Sequence, residues 1–306
     1  MLSVDRLRVL HAVAVHGSLS AASQALHVTN SAVSQQLTKL EREVGQPLVE
    51  RTGRGVRLTD AAELLVEHTA RILSMVQRAE AELEAHRDDV VGHLRLSATP
   101  TAVRGLMPHA LTSLREAHPG LRVEINEEEP HESVPAMARG DADLALVVDW
   151  EGAPLELPTG MSRAPLMEDV GDIALPAVHP LAHRELLELD EILTLPWISW
   201  SRGSICNDWL YDMIRSRGAE PLIVHTVEEH QTKLTLIAAG IGAAVMPRLG
   251  CGPVPEGVRV VPVQPALVRQ VYVFWRTESS RRPAIRAAVR ALREAASVYT
   301  ESAPRP

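Results

Sequence analysis

From Asp60 to about Asp89 the chain carries neither proline nor glycine, and Ala61, Leu65, His68, Ile72, Met75 or Val76, Ala79 and Leu83 recur near a 3.5-residue spacing. A helix of about 29 residues would be roughly 43 Å long. Such a rod has a single apolar seam and nothing local to cover it, so self-pairing as a coiled coil is its natural solution. The alternative is packing on its own chain. Either way the rod divides the 306 residues into a short head and a much larger C-terminal part, each with room for a core of its own.

The bulk composition agrees with a globular chain. Apolar residues make up 45 % and charged residues 23 %, while aromatics at 3 % are scarce, so the cores are built mainly from Leu, Val, Ile and Ala. Two cysteines, no basic start followed by an apolar run, and no membrane-length stretch predict a cytoplasmic protein without membrane contact. The formal charge of −8 argues against a nucleic-acid partner only if it is spread evenly. It is not. Residues 1 to 60 carry seven Arg or Lys against five Asp or Glu, whereas residues 61 to 91 carry three against seven.

Within the head, Leu7, Val9, Leu10, Val13 and Ala14 predict a first helix over 5–15, stopped by Gly17. Ser18 reads as the N-cap of a second helix that turns Leu19, Ala22 and Leu26 inward. The turn "HVTN" then leads to Asn30, a suitable cap for a third helix. In that helix Val33, Leu37, Leu40 and Val44 form one apolar stripe, while the other face holds Ser31, Ser34, Gln35, Thr38 and Arg42. Two helices joined by a tight turn, the second presenting short polar side chains, meet the needs of a helix-turn-helix. Its second helix enters the major groove and reads base edges with hydroxyls and amides. An α-hairpin with a merely solvated face has the same pattern. The segment "QPLVERTGRGVRLTD" after Gly45 favours the first reading, because it predicts a hairpin carrying Arg51, Arg54 and Arg57, suited to lie along a phosphate backbone. Thr29, Asn30 and Ser18 complete the candidate DNA-contacting set, since a helix start offers backbone N–H groups to phosphate.

Past Gly92 the pattern alternates. "HLRLSA", "LRVEIN" and "ADLALVV" predict strands, with helices over 102–117 and 131–139 between them. Further on come "DIALPA" at 172–177, a helix from Cys206 to about Arg217, "PLIVHT", a helix from Val227 to Ala239, "AAVMP", "RQVYVFWR" and a C-terminal helix from Arg281 to about Tyr299. Alternation of this kind argues for parallel βαβ units, and the length for two α/β lobes.

The head also resembles a known family. Ser18, "AA" at 21–22, Leu26, "SAVSQQL" at 31–37, "LE" at 40–41, Gly45, "PL" at 47–48, Arg51 and "LT" at 58–59 are similar to the winged helix-turn-helix signature of LysR-type transcriptional regulators. Two positions depart from it. Val49 stands where the family usually has Phe, and Ala62 where it usually has Gly. The resemblance implies an α/β protein of three parts: a winged helix-turn-helix over 1–59, a linker helix over 60–90, and over 91–306 a two-lobed effector domain of the periplasmic-binding-protein type. Lobe I then takes about 91–167 and 267–306, and lobe II about 168–266. It further implies binding to double-stranded promoter DNA as a homodimer or homotetramer, under control of a small-molecule effector held between the lobes.

In such α/β domains ligands lie at the carboxyl ends of strands, beside helix N-termini. By that rule the candidate effector contacts are Ser97, Thr99 and Thr101 after the first strand, and Ser199, Ser201, Arg202 and Ser204 before the helix at 206. They suit a small anion, although each hydroxyl has a simpler role as a helix cap. Trp197 and Trp200 border the second group, either as stacking partners for a ring or as core. Cys206 beside Arg202 admits a thiol-based redox sensor as an alternative function, and the resemblance extends to relatives with a reactive cysteine in a similar place. No second cysteine follows within a dozen residues, however, and Cys251 is distant. A solute-binding module with a helical adaptor for protein is a second alternative.

His179 and His183 have the i, i+4 spacing of a metal pair, but Pro180 disturbs the helix and no third ligand is near. There is no Gly-rich phosphate loop, nucleophile elbow or paired acidic motif, so neither an enzyme nor a bound cofactor is expected.

Overall fold

The computed structural model describes residues 2–26, 28–52, 55–87 and 89–302. These form two compact units, 1–83 and 84–306.

The first unit consists of α1 (Val4–His16), α2 (Leu19–Ala25), α3 (Asn30–Val44), a hairpin of β1 (Val49–Thr52) and β2 (Gly55–Leu58), and most of α4 (Asp60–Arg87). Its core is the apolar stripe of each helix turned inward: Leu7, Leu10, Val13, Ala22, Val33, Leu37 and Leu40 are all buried. Gly45 ends α3 in the left-handed region at φ 75°, which an L side chain adopts only with strain. Glu41 at the end of α3 fastens the hairpin, its Oε1 accepting from the N–H groups of Leu48 (2.9 Å) and Val49 (3.3 Å). The positions that depart from the family pattern are accommodated, Val49 packing at the core margin and Ala62 fully buried within it.

The cap of α3 differs from expectation. Thr29 is the N-cap, its Oγ1 accepting from Ala32 N–H at 3.2 Å, and Asn30 is the first helical residue. The Asn30 carboxamide is engaged elsewhere, since its Oδ1 accepts from the buried Ser23 hydroxyl and so ties α3 to α2. The seam of α4 also divides. Ala61, Leu65, Val66 and Ile72 pack against the head, whereas Met75 and Leu83 are 71 % and 67 % exposed. Packing on its own chain thus accounts for the first half of the seam and leaves Met75 and Leu83 uncovered.

The second unit contains β3 (Gly92–Ala98), α5 (Pro100–Gly105), α6 (Met107–Ala117), β4 (Leu121–Glu127), α7 (Pro130–Arg139), β5 (Leu144–Trp150) and β6 (Met161–Pro176). There follow β7 (Leu187–Glu188), α8 (Leu189–Ile192), β8 (Pro196–Ser199), α9 (Ile205–Arg215), β9 (Leu222–Thr226), α10 (His230–Ala238) and β10 (Ala244–Pro247). The chain ends with β11 (Val258–Val261), β12 (Val263–Gln264), β13 (Leu267–Arg276) and α11 (Pro283–Ser302).

The main sheet has the order β10-β6-β13-β5-β3-β4, with β11 also on β6. Parallel pairing holds for β3 with β4 and β5, as the alternation predicts. It fails at β6, where β13, β10 and β11 all run antiparallel. Of the 16 residues of β6, only "DIALPA" is legible in the sequence as a strand. Along β6 the packing changes: Ala164 joins the core beneath α6 and α11, while Ile173 and Leu175 join one built on Trp197, Trp209 and Leu210. Gly171 lies between them, where an added Cβ would come within 2.7 Å of Val245 and 2.9 Å of Trp150, so only glycine allows that approach.

Several boundaries move. The helix expected over 102–117 is two, α5 and α6, meeting at Leu106 and Met107, with Pro108 inside the first turn of α6. The helix expected from Val227 starts at His230, because the Glu229 carboxylate caps it by accepting from Gln231 and Thr232 N–H. No helix among the described residues is long and apolar enough to cross a membrane.

Candidate functional site

Two sites result, one in each unit. On the head, Ser31, Gln35, Thr38 and Arg42 are exposed along α3, with Ser34 partly so. Thr38 donates to the Ser34 carbonyl at 3.0 Å, and the Ser31 hydroxyl lies 3.4 Å from that of Thr29. Ser18 caps α2, its Oγ accepting from Ala21 N–H at 3.1 Å, and Thr29 caps α3. Both hydroxyls are therefore committed to helix ends. In the hairpin, Arg51 on β1 pairs with Val56, and Arg57 is exposed and joined to Glu50 at 2.6 Å. Arg54 lies outside the described residues.

In the second unit, Thr99 and Thr101 line a cavity of about 40 Å³, room for about three ordered waters. Thr99 Oγ1 is buried and has no hydrogen-bond partner among the described residues. Thr101 Oγ1 accepts from Arg269 Nη2 at 3.0 Å. Arg269, on β13, is itself 2 % exposed and paired with Asp169 of β6 at 2.7 Å. The third candidate of that group, Ser97, is turned away to donate to Glu128 at 2.7 Å.

The second candidate group is occupied with structure. Ser199 donates to Asn207 Oδ1 at 3.0 Å, Ser204 caps α9 by accepting from Asn207 N–H at 3.2 Å, and Ser201 N–H donates to Glu228 at 2.7 Å. Arg202 is exposed, and none of these four lines the cavity. Trp197 belongs to the core, whereas Trp200 both packs in that core and faces the cavity.

What the sequence reading missed is the charged lining. Lys233 of α10 is 2 % exposed, with its ammonium 3.7 Å from the centre of the Trp200 ring. Glu129, Glu228, His230 and Arg104 complete it. Burial lowers Lys233 to about 8, while burial and then the neighbouring Glu228 raise the Glu129 carboxyl to about 6. His230 is kept below its ordinary range by burial, and its Nε2–H donates to the Cys251 carbonyl at 2.8 Å. A signal was present. Lys233 is one of two lysines in the chain, and it falls with His230, Leu234 and Ile237 on the buried stripe of its helix.

Cys206 lines the same cavity but is not activated. Burial pushes its thiol up to about 11, and the Trp150 indole N–H donates to Sγ at 3.3 Å. At pH 8 the thiolate is then on the order of one molecule in a thousand, too little for a peroxide sensor. In native protein at pH 8, iodoacetamide is expected to leave Cys206 unmodified while labelling it in urea, and Cys206→Ser to leave DNA binding indifferent to peroxide. Rapid native labelling would revive the redox alternative. Of His179 and His183, His179 Nδ1 accepts from Leu181 N–H at 3.2 Å, and no cluster able to hold a metal occurs among the described residues.

Comparison with known proteins identifies the family of each unit. Residues 4–63 match the family described as bacterial regulatory helix-turn-helix protein, lysR family, and residues 87–297 match the LysR substrate binding domain. The chain is 29 % identical over 264 residues, 86 % of each chain, to the HTH-type transcriptional regulator TtuA of Agrobacterium vitis. It is 27 % identical to IlvY of Escherichia coli over 78 % of its own length and 79 % of the relative's. Among solved structures, a full-length single-substitution variant of OxyR from Pseudomonas aeruginosa shares the fold with a TM-score of 0.71 at 21 % identity, covering 96 % and 98 % of the two chains. Full-length CbnR in complex with its target DNA does so at 0.61 and 20 %, covering 96 % and 100 %. With a match over both units, the chain belongs to the LysR family of DNA-binding transcriptional regulators.

Proposed function

We propose that this regulator acts on promoter DNA as a homodimer or homotetramer, each head laying α3 in a major groove, and that a small molecule in the Thr99 cavity selects among arrangements of the heads. The observation that carries the reading is α3 itself, a helix sealed on one side by Val33, Leu37 and Leu40 and lined on the other with exposed hydroxyl and amide side chains. Exposed Met75 and Leu83 on α4 supply an apolar surface for a second copy. We assign 1–59 to DNA, 60–90 to pairing, and 91–306 to sensing, with the lobes dividing near 167 and 267. The site of action is the cytoplasm, and the sensing step is binding without catalysis.

The effector must bind one arrangement better than the other, since equal affinity for both shifts nothing. Of the sequence candidates, Thr99 and Thr101 act on the ligand, and Ser199, Ser201 and Ser204 keep the cavity wall in place.

Gln35→Ala is expected to cost about 1–3 kcal/mol on the operator and little on random DNA. Arg57→Ala is expected to weaken both alike and to reduce the salt slope by about 1. Gel-shift titrations at several salt concentrations measure these effects. Equal losses on both DNAs for Gln35→Ala would overturn the assignment of α3 to base reading.

A further inference from the structure

Resting on that reading of the cavity, we infer that the effector presents a small carboxylate to Lys233 and Thr99, and that it enters together with one proton, taken up at Glu129. Two side chains lack what such a group supplies. Lys233 is almost wholly buried, and no ion pair or hydrogen bond to its ammonium occurs among the described residues. Its ammonium lies 3.7 Å from the centre of the Trp200 ring, a weaker partner than an anion. Thr99 Oγ1 is buried and unsatisfied. An unpaired buried ammonium and an unsatisfied hydroxyl are each costly. Both residues line one cavity of about 40 Å³, which admits a group of about three heavy atoms. One carboxylate accepts from both.

The proton follows from charge balance. Arg269 is already neutralised by Asp169, so the remaining charges on the wall are Lys233 and Arg104 against Glu129 and Glu228. Adding an anion leaves the wall one negative charge in excess unless a carboxylate is protonated. Glu129 is that group, because it is half-buried and faces Glu228 from the loop before α10, with His131 on its own helix, Lys233 on α10 and Arg269 on β13 around it. Its carboxyl titrates near 6 before the ligand arrives, and an anion alongside moves that value upward. Between the two values the bound state holds more protons, so affinity for the anion falls as pH rises. Lys233 titrates near 8 and adds a second, more alkaline window of the same sign.

The test uses acetate as the carboxylate probe, glycine as a zwitterion and methylammonium as a cation, with binding to the full chain followed by NMR of labelled probe. Acetate is expected to bind saturably, with Kd rising about tenfold from pH 6.5 to 7.5. Glu129→Gln is expected to flatten that rise to less than about twofold while keeping acetate binding. Lys233→Met is expected to abolish binding and to leave the melting temperature equal or higher, an outcome opposite to that of a structural lysine. Thr99→Val is expected to weaken binding with the fold intact.

Preference for glycine or methylammonium, or no binding by any probe, would overturn the inference. If acetate binds but Lys233→Met and Thr99→Val leave it unchanged, the ligand lies elsewhere, and the reading of the cavity fails with it. If acetate binding needs Lys233 yet ignores pH, the uptake of a proton at Glu129 is overturned while the reading of the cavity stands.

Discussion

Asp169→Asn is expected to destabilise the C-terminal unit by about 3–5 kcal/mol, because it leaves the Arg269 guanidinium buried without its counter-ion. Both side chains are 2 % exposed, and the Asp169 carboxylate holds Arg269 at 2.7 Å while its other oxygen accepts from Leu249 N–H at 2.9 Å. The loss corresponds to a fall of about 10 °C in the melting temperature for a unit of this size. The double variant Asp169→Asn with Arg269→Met is expected to recover most of it, since removing both charges leaves nothing uncompensated. A single-variant loss below about 1 kcal/mol would show the pair to be far better hydrated than its burial indicates.

Leu40→Ala is expected to remove the head without touching the rest. Leu40 is fully buried in the core shared by α1, α2, α3 and the start of α4, and a truncation there costs about 2–5 kcal/mol. A head of this size has little stability beyond that. Calorimetry should lose the transition of the head and keep that of 84–306, while binding to operator and random DNA disappears together. That pattern separates Leu40→Ala from Gln35→Ala, which leaves the head folded and discriminates between DNAs. A variant head that still melts cooperatively near the parent temperature would mean that its core is held by something other than this stripe.

Residues near one another in sequence explain how far the head could be read. Val33, Leu37, Leu40 and Val44 return to one side of α3 by helix geometry alone, and Ser18 caps the helix it precedes. The error at Asn30 shows the limit even there. Thr29 and Asn30 are both good caps by residue type, and what decides between them is a contact from outside the helix, the Ser23 hydroxyl on the Asn30 carboxamide. The long rod was legible as a helix because nothing breaks it, yet only the packed head determines which half of its seam is covered.

For the sensing unit the order of strands and helices was readable, because alternation of apolar runs and amphipathic stretches is a local property. The pairing of β6 was not, since an antiparallel strand exposed along part of its length offers no continuous apolar run. The cavity is the clearest case. Thr99 and Thr101 were found by a rule about strand ends, a local feature. Glu129, Lys233 and Arg269 come from three distant segments, and of these only Lys233, a rare lysine on the buried stripe of its helix, carries a local signal. What the sequence by itself determined is the identity and local shape of the reading head, written in side chains a few positions apart. What only the tertiary structure decided is which charges lose their water together, since burial depends on neighbours that the chain brings from far away.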